Sequence, residues 1–155
     1  MIQESDGNSY GMTSSSAHIF KITSTGTFAS LHTFSGNDGS LPLGSLVQAA
    51  DGNFYGTTSS GGVSSGGTIF KMTSANVYTV LKSLSSATDG TTPKGNLLQG
   101  SDGNLYGMTS AGGTYTAGTL FKITTGGTYT VLRNFNLITD GGNAFGSLIK
   151  IVNNL

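Results

Sequence analysis

The chain has no cysteine and no tryptophan, only two prolines and two histidines, and little charge: Asp, Glu, Lys and Arg make up 9% of its 155 residues. Each shortage removes a class of answer. Without cysteine there is no disulfide framework, no thiol nucleophile and no thiolate metal site. A formal net charge of +0 leaves no basic stripe to displace counterions from phosphates, so no nucleic-acid partner is expected. No apolar run approaches the roughly 18 residues of a membrane span, so none is expected. No window of about 11 residues keeps its apolar residues at helical spacing, which predicts no helix. The hydrophobic fraction, 35%, is low enough for low-complexity disorder to be the alternative that must be set aside.

What the chain has in excess is glycine, 25 residues, and order. Asp-Gly-Asn occurs at Asp6, Asp51 and Asp102, and Phe-Lys-(Ile/Met)-Thr starts at Phe20, Phe70 and Phe121. Asp-Gly recurs at Asp38, Asp89 and Asp140, and Gly-(Ser/Asn)-Leu at Gly44, Gly95 and Gly146, the copies of each being 51 residues apart. Disorder does not hold Val, Ile, Leu, Phe and Tyr in register across three copies. A repeat architecture does, each copy burying its apolar face against its neighbours.

The middle copy reads as four strands. Strand A starts at Gly44 and ends at the Asp51-Gly-Asn53 turn, and strand B starts at Phe54. A Gly/Ser loop covers 59–67, strand C starts at Thr68, 74–76 turn, and strand D starts at Val77. Four strands in about 50 residues with hairpin-length turns describe a propeller blade. Solenoid repeats are usually shorter, and a sandwich needs no repetition. The fold expected is therefore all-β, a propeller with three four-stranded antiparallel blades in one domain. The first copy is five residues shorter between Thr13 and Ile19, which marks the B–C loop as surface.

The order Asp-Gly-Asn-(Phe/Leu)-Tyr-Gly, then Gly-Gly, then Gly-Thr-(Ile/Leu)-Phe-Lys-(Ile/Met)-Thr, then Tyr-Thr-Val-Leu, resembles the GloVer tandem repeat across nearly the whole chain. The first copy departs from it, with Ser14-Ser-Ser16 and Ala17-His18 in place of Gly-Gly and Gly-Thr. The resemblance implies a propeller-like bacterial repeat protein, extracellular or on the cell surface. It implies no known reaction and transfers no catalytic residue. Kelch repeats share the period but fit less well, since tryptophan is absent.

By register Met1-Ile-Gln3 matches Leu46-Val47-Gln48, so the chain opens late in an A strand and closes with a full one, 146–152. The expected order is B-C-D-A in blades of approximately 1–49, 50–100 and 101–152, with only a stub of A in front. Three blades are fewer than the four to eight of typical propellers. Either the chain is a fragment of a longer array, or copies assemble; in the second case Gly146, Leu148, Ile149 and Ile151 are expected to complete the first blade of another copy, with a two-chain, six-blade ring the leading form of a homo-oligomer.

All six aspartates precede glycine in repeated slots, which favours turns over catalytic carboxylates. Each D–A loop supplies one carboxylate, too few for a strong calcium site, so no metal and no cofactor are expected. His18 and His32 have no Cys or Glu beside them to build a zinc site, and no Gly-x-Ser-x-Gly elbow accompanies them. No catalytic residue is assigned. The recurrent Lys21, Lys71 and Lys122, and Tyr10, Tyr55 and Tyr106, read as packing residues. In an A-B-C-D blade both variable loops, B–C and D–A, fall at one end, where binding usually resides. Tyr115, flanked by Thr114 and Thr116, is the one aromatic residue of the B–C loops. It is the leading ligand candidate, joined by Ser64, Asp38, Asp89 and Asp140. The function expected is a non-enzymatic module that self-assembles and binds glycan or a surface protein. The alternatives are a purely structural ring, array or filament, and, last, a propeller hydrolase or lyase.

Overall fold

The computed structural model describes residues 1–3 and 6–150. Twelve strands form three separate four-stranded sheets, each antiparallel and in chain order. Blade 1 holds β1 (Ile2–Gln3), β2 (Ser9–Thr13), β3 (His18–Ile22) and β4 (Phe28–Thr33). Blade 2 holds β5 (Val47–Gln48), β6 (Phe54–Thr58), β7 (Thr68–Met72) and β8 (Tyr78–Ser83). Blade 3 holds β9 (Leu98–Gln99), β10 (Leu105–Met108), β11 (Thr119–Ile123) and β12 (Tyr129–Asn134). Among the described residues there is no helix.

Each Asp-Gly-Asn is a clasp. Asp51 Oδ1 accepts the Asn53 N–H at 3.1 Å, and Oδ2 accepts Asn53 Nδ2 at 2.9 Å and the Tyr55 hydroxyl at 2.7 Å. Gly52 takes φ +76, a conformation that a Cβ disfavours. Asp6 and Asp102 repeat the clasp with Tyr10 and Tyr106. Hydrogen bonds from Asn8 hold the Asp6 carboxyl below the usual carboxylate range, and Asn104 and Tyr106 do the same for Asp102. These aspartates therefore belong to turns.

The apolar clusters lie between blades. Ile19 and Phe34 of blade 1 and its following loop meet Phe54, Phe70 and Met72 of blade 2. Tyr55, Ile69 and Leu84 meet Leu97, Leu105, Phe121 and Ile123 of blade 3. Strand alternation produces this directly, because each sheet offers one set of side chains to either neighbour.

The inner strands differ from expectation. In every blade only two residues of strand A pair with strand B, in one register: Ile2↔Tyr10, Val47↔Tyr55 and Leu98↔Tyr106. The residues just before the ladder bond sideways instead. Ser45 N–H donates to Asn96 Oδ1 at 2.6 Å, and Asn96 N–H to Ser147 Oγ at 2.8 Å. Consequently Met1–Gln3 supplies the whole laddered part of an A strand. Blade 1 thus carries the same two-residue A–B ladder as blades 2 and 3. Residues 146–150 form no strand in the structure, with Leu148 in a groove against blade 3 and Ile149 82% exposed. Ile151 and Glu4 lie outside the described residues.

Candidate functional site

The B–C and D–A loops meet across blade boundaries. The loop after blade 1 pairs with the B–C loop of blade 2 through Ser40 and Ser60, and the loop after blade 2 with that of blade 3 through Thr91 and Ala111. This builds one continuous rim from the variable loops.

Within the rim each D–A aspartate meets the basic side chain at the same position of strand D, a hydrogen bond with His32 in blade 1 and an ion pair with Lys82 and Arg133 in blades 2 and 3. Asp38 Oδ2 lies 3.0 Å from His32 Nε2, Asp89 Oδ2 2.9 Å from Lys82 Nζ, and Asp140 Oδ1 2.7 Å from Arg133 Nη2. The other role of each carboxylate is to clasp its own loop, accepting the N–H of Ser35, Ser85 or Asn136. Burial acts to raise the Asp89 carboxyl, but Lys82, the Ser85 N–H and Thr88 outweigh it and hold the group below the ordinary range. Arg133 and the Asn136 N–H lower Asp140.

The next blade covers the first two pairs. The Tyr78 ring stacks on His32 with centroids 3.8 Å apart, and Lys82 Nζ sits 5.3 Å from the Tyr129 centroid. Both tyrosine hydroxyls donate to the aspartate backbone carbonyls, Tyr78 to Asp38 at 2.8 Å and Tyr129 to Asp89 at 2.6 Å. Burial pushes both hydroxyls above their usual range, which keeps them protonated donors. Asp38 and Asp89, proposed from sequence as ligand residues, are thus committed to blade–blade contacts.

Asp140 is placed differently. Together with Tyr115, Arg133, Asn134, Asn136 and Thr139 it lines a hollow of about 320 Å³ at the outer edge of β12. Tyr115 is 53% exposed there. Thr114 N–H donates to Asn134 Oδ1 at 2.9 Å, and Thr116 Oγ1 donates to the Tyr115 carbonyl at 2.7 Å, so both threonines shape the loop that presents Tyr115. Ser64 occupies the Tyr115 position in blade 2, where its N–H bonds Ser83 Oγ at 3.3 Å, and it does not line the hollow. Sequence reading missed Arg133, Asn134, Asn136 and Thr139. The available signal was the change from His32 and Lys82 to arginine at one repeat position.

Neither histidine is unpartnered. His18 Nδ1 lies 3.1 Å from Ser30 Oγ and 2.9 Å from Thr33 Oγ1, and His32 faces Asp38. Among the described residues no three His, Cys, Asp or Glu side chains converge as metal ligands.

Comparison with known proteins agrees with this geometry. No curated protein matches the chain. Solved structures do: a streptogramin B lyase, at 17% identity and a TM-score of 0.62, aligns over 92% of this chain and 41% of its own. Virginiamycin B lyase from Staphylococcus aureus aligns in two forms. The selenomethionine-substituted protein has 14% identity and a TM-score of 0.61, and a catalytically inactive variant with quinupristin has 20% and 0.60; each covers 92% of this chain and 42% of its own. The present chain spans about two-fifths of the length of these proteins. At such identities the likeness concerns the fold, an all-β propeller built from four-stranded blades. The family description that matches residues 1–155 is the Gloeobacter/Verrucomicrobia repeat, the same repeat that the motifs resemble, and the chain belongs to that family.

Proposed function

We propose that this propeller domain is a non-enzymatic binding module of the cell exterior that takes a sugar in the Tyr115 hollow. One observation carries the reading: a half-exposed aromatic ring beside a cluster of amide, hydroxyl and charge-paired groups in a single concavity. A ring face stacks on the C–H face of a sugar, and Asn134, Asn136 and Thr139 offer both donors and acceptors to its hydroxyls. The charges of Arg133 and Asp140 are already paired, which suits a neutral ligand better than an ionic one. Among the described residues each histidine and each D–A aspartate has a structural partner, which supports a binding role. The charge-poor, Ser/Thr-rich composition fits an exterior location.

The test is a glycan array followed by calorimetric titration of any hit against the wild-type chain and Tyr115→Ala. Saturable binding that falls at least tenfold in the variant supports the proposal. A screen without saturable hits, or equal affinity in the variant, overturns it. Because the structural relatives are named as streptogramin lyases, one control is needed. Enzyme-like consumption of a streptogramin B antibiotic by the purified chain would replace binding with catalysis.

A further inference from the structure

The blade–blade contact occurs twice with the same parts, which defines a donor face and an acceptor face. The acceptor is the outward side of a blade and its following loop, with the carbonyls of Asp38 and Leu41 in blade 1 and of Asp89 and Thr92 in blade 2. The donor is the facing side of the next blade. Its Tyr78 or Tyr129 hydroxyl and its Thr68 or Thr119 hydroxyl both reach the aspartate carbonyl. Its Ser59 or Ser110 bonds the Leu41 or Thr92 carbonyl through N–H and hydroxyl together.

Blade 3 carries the acceptor face intact. Its loop has the conformation of the earlier ones: Asn143 takes φ +55, as Leu41 takes +50 and Thr92 +58. Asn143 N–H bonds the Ala117 carbonyl as Thr92 N–H bonds that of Gly66, and Asp140 N–H bonds Asn136 as Asp89 N–H bonds Ser85. The Asp140 and Asn143 carbonyls are therefore set by the same loop. At the positions by which Val47, Tyr55, Ile69 and Leu81 of blade 2 pack against blade 3, blade 3 has Leu98, Tyr106, Leu120 and Leu132, which with Leu148 line an apolar groove of about 650 Å³.

Blade 1 does not carry the donor face. At the register of Tyr78 and Tyr129 it has Phe28, with no hydroxyl, and at that of Thr68 and Thr119 it has His18. His18 turns to its own blade, bonding Ser30 and Thr33. Ser9 stands in place of Phe54 and Leu105, and Ser30 in place of Val80 and Val131. The B–C glycines that bond the preceding loop, Gly62 to the Gly36 carbonyl and Gly113 to that of Ser86, fall in the segment that blade 1 lacks. Polar substitution of one outer face is how terminal repeats of stacked arrays are kept soluble.

We infer that the outward face of blade 3 is a docking surface for a further blade of the kind seen in blades 2 and 3, one that carries Thr at the start of strand C and Tyr at the start of strand D. Blade 1 of a second copy is not that partner. The incoming tyrosine lies against Arg133 as Tyr129 lies against Lys82. Leu132 lines both the groove and the Tyr115 hollow, whereas Tyr115 itself lines the hollow and not the groove.

A chain in which a second copy of residues 100–150 replaces 151–155 places a fourth blade in register, and its melting is compared with the natural chain. The expected result is one cooperative transition, raised by at least about 5 °C. The same fusion with Thr119→His and Tyr129→Phe in the added copy loses most of that gain. A separate low-temperature transition, or equal gain from the His/Phe version, overturns the inference. A second test keeps the natural length. Ser9→Leu, His18→Thr, Phe28→Tyr and Ser30→Val rebuild much of the donor face on blade 1, and sedimentation then reads self-association. It is expected to tighten at least tenfold, and Leu132→Asp in the same chain is expected to reverse it. Wild-type chains that associate as tightly as the rebuilt ones overturn it as well.

Discussion

Blades 1 and 2 share their motifs, yet their interiors differ. Every residue of β6 is buried, whereas in β2 only Gly11 is; Phe70 is fully buried and its counterpart Phe20 only half so. The strands and turns are the same, so the motif sets the local structure but not the burial. Burial comes from having a blade on either side, and blade 2 alone has both among the described residues. The stability of this protein thus resides in contacts between repeats more than within them, as expected of a stacked architecture.

Substitutions at equivalent positions put a scale on that difference. Phe70→Ala removes a buried ring between two blades and is expected to cost about 3–5 kcal/mol, while Phe20→Ala costs about half of that or less. Urea unfolding of both variants measures it, and equal losses would locate the core inside the blade. Next in size is Gly107→Ala. A Cβ there would lie 2.5 Å from Phe121 Cζ and 2.9 Å from Leu97 Cδ2, and the ring is buried with nowhere to swing. The expected loss is about 1–3 kcal/mol. Gly11→Ala meets Phe20 Cζ at 2.7 Å, but that ring can move outward and the loss should be smaller.

The paired aspartates give the third contrast. Asp89→Asn leaves Lys82 without its anion inside an interface and is expected to cost about 1–3 kcal/mol at neutral pH. The sign of the pH dependence follows from the depressed carboxyl. Its contribution is fully present above the unfolded value of about 3.9 and is lost as pH falls through the lower folded value. Stability measured from pH 6 down to pH 2 should therefore fall less steeply in the variant. Asp140→Asn, on the exposed pair, should be the milder of the two. The smallest effects are expected at the hollow and for metal removal. Tyr115→Ala should change stability by less than about 0.5 kcal/mol while ligand binding is lost. EDTA should leave the melting temperature unchanged, because the carboxylate oxygens are engaged by protein donors.

The three four-stranded antiparallel blades and the Asp-Gly-Asn turns were legible in the sequence, because strand alternation and turn chemistry are local and were written three times. The short ladder of strand A was not. Gly44-Ser-Leu reads as the start of a strand, but its partner lies 51 residues away, at Asn96. The role of Asp38 and Asp89 was hidden for the same reason, since what covers them is Tyr78 and Tyr129, 40 residues on. The differences of the first copy were visible, in Ala17-His18 and the missing glycines. Their meaning required knowing which residues face the preceding blade.

The inter-blade hydrogen bonds named above between Ser59 and Leu41, Thr68 and Asp38, Tyr78 and Asp38, and Ser45 and Asn96 join residues 18 to 51 positions apart. Docking any blade therefore closes a chain loop no longer than about one repeat, and the entropy of that closure does not grow as blades are added. Such a chain can begin to fold at any repeat and lengthen from there, with speed set by the repeat rather than by the array. Gaining or losing a whole 51-residue unit then changes how much there is to fold without changing how it folds.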